Sequence, residues 1–260
     1  MKDKIQVIQL TTATMLTTVG VILGNFSIIL PIFSVPALRL DIVAIPIILA
    51  GLILGKWYGM GVGIVIDILN FLLYGQGVYH VGFTINYALI GLFSGLIPMI
   101  FMNKDFKFIK NTLLVTASVL VLATIIVLYS LDDVSLGGDS VSLNLEIRIA
   151  ILSLIVVMTL LTLGFMYLTL RDYKYEIRDM YVVSIMIILI EFFVIIVLTP
   201  IWIQDLFEQP YYIGFLARII RGSLMIPFKI IIVYFIDLFI VNIENSFIGF
   251  CKFKCSISMG

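Results

Sequence analysis

Apolar runs of membrane-spanning length, almost free of charge, recur along the whole chain, and this pattern decides what it can fold into. A bilayer's hydrocarbon core is about 30 Å thick and needs roughly 20 apolar residues per helix. Polar breaks delimit eight such segments, at 5–30, 38–55, 57–74, 83–102, 110–130, 147–170, 180–200 and 212–241. Of the 260 residues, 62% are hydrophobic and 12% charged, against about 45–50% and about 25% in a soluble domain. In water such a chain would expose large, aggregating apolar patches. A soluble enzyme and a disordered chain are therefore excluded. So is a nucleic-acid binder, because the formal net charge is +0 and no basic face is visible. The expected fold is all-α: a polytopic helical membrane protein forming a single domain over 1–260.

The apolar run from Ile5 to Phe33 is far longer than a signal-peptide core of about 7–15 residues, so it is read as the first span. Loop charge sets the orientation. With the N-terminus inside, eleven basic residues fall on the inner side (Lys2, Lys4, Lys56, Lys104, Lys107, Lys110, Arg171, Lys174, Arg178, Lys252 and Lys254) and only Arg39 and Arg148 on the outer. Both termini are thus expected in the cytoplasm, with 242–260 as a tail and 131–146 as an exposed outer loop. Spans two and three meet at Gly55-Lys56-Trp57, a hairpin with almost no loop. Cys251 and Cys255 lack the further ligands of a zinc site and read as reduced thiols.

Ionisable groups at membrane depth are costly, about 2.5–3.5 kcal/mol each on insertion scales, and mark candidate sites. Asp67 and Asn70 lie three apart in the third span, and Arg218 and Arg221 repeat that spacing in the last, with Glu191 and Lys229 deeper. Helix–helix pairing, for example Asp67 with Arg218, is the structural alternative. Gly51, Gly55, Gly59 and Gly63, then Gly91 and Gly95, form the small-residue stripes that bring helix backbones together. The stretch from Gly75 through Tyr79, His80, Gly82, Phe83 and Thr84 to Asn86 combines glycine, aromatic faces and hydrogen-bonding groups, a composition suited to a flat polar ligand. Trp202, beside Pro200 and Gln204, reads as an outer-loop residue serving either the interfacial belt or a ligand. The segment Gly51 to Trp57 is one residue short of a P-loop, and no metalloprotease helix or nucleophile elbow is present. No catalytic residue and no metal ligand is expected; the chain is not read as an enzyme.

An ordered set of motifs resembles the substrate-binding (S) components of energy-coupling factor (ECF) vitamin transporters, most closely the folate-type branch. Arg39 through Pro46, Ala50-Gly51, Leu54-Gly55, Gly59, Gly63 and Asp67 follow one signature of that family. The run from Gly82-Phe83-Thr84 through Gly91 to Gly95, the segment Leu198-Thr199-Pro200-Ile201-Trp202, and Arg218 through Pro227 to Lys229 are similar to three others. Ala13 and Thr17 resemble the small-residue patch that docks on a coupling subunit. Val81 stands where the family has proline, Thr17 replaces an alanine, and Thr199-Pro200 lacks an asparagine. The family has six helices, so the eight spans resolve into a core at 5–102 and 180–241 plus an inserted helical hairpin at 108–172.

The resemblance implies a multi-pass protein of the bacterial cytoplasmic membrane that captures a vitamin, folate or a related pterin, from outside. Delivery would need a transmembrane coupling subunit and a pair of cytoplasmic ATPases; ATP is used by those partners only, and no cofactor is implied for this chain. The implied substrate-binding residues are Arg39, Arg218 and Arg221 for carboxylates, Tyr79, Phe83 and Trp202 for the ring face, and Asp67, Asn70, Thr84 and Asn86 for the ring's polar edge. An S component for pantothenate or riboflavin, or a stand-alone carrier or channel, would share the same gross features.

Overall fold

The structure, a computed structural model, describes residues 2–25, 28–32, 35–40, 42–75, 79–101, 104–130, 133–136, 139–142, 177–207 and 211–246, together with short pieces between 148 and 164. Most of the expected span 147–170, the central residues Gln76 to Val78, and the tail with Cys251 and Cys255 lie outside the described residues. The described elements run α1 (Lys2–Asn25), β1 (Ile28–Ile32), β2 (Val35–Leu40), α2 (Ala44–Leu54), α3 (Lys56–Tyr74), α4 (Val81–Phe101), α5 (Phe106–Ser130), β3 (Asp133–Leu136), β4 (Asp139–Ser142), α6 (Ile177–Ile190), a π-helical stretch (Glu191–Leu198), α7 (Thr199–Phe207) and α8 (Tyr211–Ser246). Four helical segments among them are long and apolar enough to cross a membrane: Lys4–Asn25, Lys56–Tyr74, Val81–Phe101 and Tyr181–Leu206.

Two antiparallel hairpins depart from the all-α expectation. In β1–β2, Ile29 pairs with Arg39 and Leu30 with Leu38; β3–β4 occupies the expected loop. The apolar run is extended rather than helical at Ile28–Ile32 because Pro31 and Pro36 each lack an amide donor, while the β-branched residues around them favour extended backbone. The second expected span shrinks accordingly. Helix α2 has 11 residues, about 16 Å at 1.5 Å per residue, well short of the bilayer core. It is instead the centre of the bundle. Ala44 through Gly51 are all buried, as an all-round apolar helix requires. Helix α6, buried from Tyr181 to Ile188, joins it in one continuous core.

Glycine decides how closely α2, α3 and α4 approach. Gly55 alone separates α2 from α3, at φ 95°, a conformation open to glycine. A Cβ on Gly59 would lie 2.5 Å from the Gly91 carbonyl oxygen, and one on Gly63 or Gly91 would strike the backbone of Tyr87 or Gly59. Further along, a Cβ on Gly95 would meet the backbone at Lys56, and one on Gly51 the Ser94 hydroxyl. Helix α1 joins in the same way, Gly20 against Ile66 and Gly24 against the Asn70 amide.

On the other side of the core, Lys229 Nζ of α8 donates to both carboxylate oxygens of Glu191, at 3.0 and 3.2 Å. The pair is sealed, with side chains 2% and 1% exposed. A backbone shift cannot relieve a clash at Gly91 without moving α3, so Gly91→Ala is expected to lower stability by about 1–3 kcal/mol. Gly61→Ala on the same helix, where nothing lies within 4 Å, is expected to lose nothing. Thermal unfolding in detergent distinguishes them. By the same assay Glu191→Gln, which strands a buried ammonium, is expected to cost about 3–5 kcal/mol, whereas Glu191→Leu combined with Lys229→Met costs less than the sum of the two single changes.

Candidate functional site

The end of the bundle where α3 finishes, α4 begins and α7 meets α8 gathers most of the chemistry. Thr84 Oγ1 donates to Asp67 Oδ2 at 2.6 Å. That uses the hydroxyl's single hydrogen, so the Tyr79 hydroxyl, 2.8 Å away, is the donor to Thr84. A directed chain, Tyr79 to Thr84 to Asp67, thus links the start of α4 to α3, and the Tyr79 ring lies 5.0 Å from that of Phe71.

A second cluster surrounds the indole of Trp202. It lies on Gly82, where a Cβ would collide with the ring, and 5.7 Å from the His80 ring. The Gly82 amide donates to His80 Nδ1 at 3.0 Å. Nδ1 is therefore unprotonated, and Nε2 carries the hydrogen that faces Asp205 Oδ2 at 3.0 Å. Phe83 meets the imidazole edge-on, centroids 6.0 Å apart. Trp202 Nε1 donates to Asn86 Oδ1, and Asn86 Nδ2 to Thr199 Oγ1, both at 3.1 Å.

The arginines form the third part. Arg218 and Arg221 are each 5% exposed and lie three apart on α8, so they share a face. Arg218 Nη1 makes a 3.3 Å contact with the Gly214 carbonyl of its own helix, and Gly214 packs on Pro200 at the start of α7. Arg218 Nε and Arg221 Nε and Nη2 are buried with no hydrogen-bond partner. Strand β2, which carries Arg39, runs beside α8. Among the described residues the buried charged side chains are Arg218, Arg221, Lys229 and Glu191. Of these cations only Lys229 has a carboxylate partner among the described residues. Such a surplus of buried positive charge calls for an anion.

The expected residues therefore separate. Asp67, Tyr79 and Thr84 are brought together, as are Phe83, Asn86 and Trp202. Asp67 and Arg218 each have a different partner rather than each other. Asn70 points away from this cluster, packing on Gly24 of α1 with its Oδ1 buried and unpartnered. Trp202 is helical rather than in a loop, because α6, the π-helical stretch and α7 run on without a break. Ala13 is buried and Thr17 half-buried; the Thr17 hydroxyl returns to the Ala13 carbonyl at 2.8 Å. Outside the expected set, Thr199 and Asp205 complete the site. A threonine preceding a proline inside an apolar helix was the one sequence signal for the first; nothing marked the second.

No family model matches the chain, and neither a curated protein nor a solved structure matches it.

Buried guanidinium nitrogens without a partner, such as Nε and Nη2 of Arg221, carry an unreturned desolvation penalty, about 1–3 kcal/mol or more for a charged group. Arg221→Met is therefore expected to raise the unfolding temperature of the protein, measured in detergent.

Proposed function

We propose that this chain is a substrate-capturing membrane component of the ECF S type, taking up a flat, anionic vitamin, with folate or a related pterin as first candidate. The observation that carries this reading is the buried pair Arg218 and Arg221, whose Nε atoms and Arg221 Nη2 have no hydrogen-bond partner, set on the helix that packs against the aromatic and polar cluster at Trp202. Guanidinium groups bind carboxylates in bidentate fashion. Phe83, Tyr79 and Trp202 supply ring faces, and the Asp67–Thr84–Tyr79 chain supplies a polar edge that suits amino and amide groups. The ordered motif resemblance lends the class, and the glycine-packed helices with lipid-compatible outer faces suit a protein that works as one body within the membrane.

In this reading the chain passes eight times, the second pass shared between β2 and the short α2, with an inserted hairpin and both termini in the cytoplasm, a proposal supported by the asymmetry of loop charge. The chain performs no chemistry. It holds the vitamin, and the energy comes from ATPase partners through a coupling subunit.

Titration of the detergent-purified chain with a vitamin panel, followed by tryptophan fluorescence, tests the reading. Sub-micromolar folate binding is expected. Arg218→Ala is expected to weaken it about 10- to 100-fold, the loss of one charge-assisted contact of about 1.5–3 kcal/mol, and Phe83→Ala is also expected to weaken it. Tight binding of a different vitamin changes the substrate and keeps the class. Folded protein that binds no member of the panel overturns the reading. So does uptake into liposomes driven by an ion gradient without ATP or partners, which points to a carrier.

A further inference from the structure

Pro200 sits in the second position of α7, inside a continuous helical path. It has no amide hydrogen, and its ring crowds the carbonyl four residues earlier, at Ile196. The helix upstream is widened into π geometry over Glu191–Leu198, a distortion that changes which carbonyls are within reach. The Val194 carbonyl accepts the Thr199 amide, five residues on, and also the Thr199 hydroxyl at 2.9 Å. The Val197 carbonyl accepts the Tyr211 hydroxyl of α8 at 3.1 Å.

The Thr199 hydroxyl has one hydrogen, and it goes to Val194. Its oxygen can then only accept, so the group 3.1 Å away must be the Asn86 NH2. That orients the Asn86 amide and leaves Oδ1 facing the indole N–H of Trp202, which can only donate. Every direction in the chain is forced: Trp202 to Asn86 to Thr199 to the Val194 carbonyl. Asn86 and Thr199 are both buried, while Trp202 is partly exposed. Gly82 lets the ring settle against α4, where any Cβ would collide with it.

We infer that the π-widened turn together with Thr199 and Asn86 is a positioning device that presets the Trp202 indole, and that Thr199 and Asn86 orient the ring without touching the ligand. This deepens the function proposed above and rests on it only for the word ligand. It also narrows the ligand's chemistry at this wall. With its N–H given to Asn86, the indole offers a ring face and no hydrogen bond, so the group it receives is a flat aromatic or heteroaromatic ring that stacks. Polar recognition must come from elsewhere, from Asp67 and Thr84 on one side and the arginines on the other.

The chain has two tryptophans, so Trp57→Phe leaves Trp202 as the sole reporter in the full-length, detergent-solubilised protein without any ligand. In that background Thr199→Val is expected to shift the emission maximum to the red, lower the steady-state anisotropy and increase quenching by acrylamide. Thr199→Ser, which keeps the hydroxyl, is expected to match the parent. Emission and anisotropy unchanged in Thr199→Val overturn the inference. If Thr199→Val does not fold, the same reading is taken on Asn86→Asp, which keeps the acceptor for the indole and loses the donor to Thr199. An indole signal unaltered in that variant equally overturns it. Because the readout needs no vitamin, an unresponsive indole with intact folate binding refutes the positioning device alone. A responsive indole without any vitamin binding refutes the proposed function alone.

Discussion

Backbone-to-backbone contact along the glycine stripe between α3 and α4 is the constraint on which the rest depends. With Gly59 and Gly63 facing Gly91 and Tyr87, the two helices lie closer than any side chain would permit. Their far ends then come within hydrogen-bonding reach, and Asp67 meets Thr84. The same economy of side chains lets Trp202 lie flat on Gly82. In lipid there is no hydrophobic force to press helices together, so close van der Waals packing must supply the association that water supplies to a soluble core. The candidate site is thus a by-product of where α3 and α4 are held, with α7 laid across the start of α4.

Charge is treated unequally within the bundle. Glu191 and Lys229 neutralise each other in full burial. Arg218 and Arg221, two to three turns away on α8, have no carboxylate partner among the described residues. A purely architectural role would favour apolar residues at these two positions.

Much was legible in the order of residues. The apolar runs located α1, α3, α4 and α6 closely, because a 20-residue hydrophobic stretch has few alternatives to a helix. Gly55 announced the turn between α2 and α3, and the glycine spacing announced the packing. The polar residues Asp67, Thr84, Asn86 and Trp202 were recognisable as a set. Other features were not legible. A run of hydrophobic residues does not say whether it spans the membrane, as α1 does in length, or ends in a hairpin, as β1–β2 does, until proline positions are weighed against it. Nor does it distinguish α2, a short helix wrapped on all sides by others, from a span.

Sequence by itself determined the chemical class of this protein: hydrophobicity and helical length are sums over neighbouring residues, and no tertiary contact is needed to read them. It also determined which groups are costly enough at depth to need a purpose, since Asp67, Glu191, Arg218, Arg221 and Lys229 stand out against their surroundings whatever the fold. Pairing was decided only in three dimensions. Whether Asp67 faces Arg218 or Thr84, whether Asn70 turns toward the cluster or toward Gly24, and which oxygen the Trp202 indole reaches all depend on helix rotation and sub-ångström approach. Those follow from the mutual fit of glycine surfaces and from one proline's missing hydrogen, quantities that belong to pairs of helices rather than to any single stretch of chain.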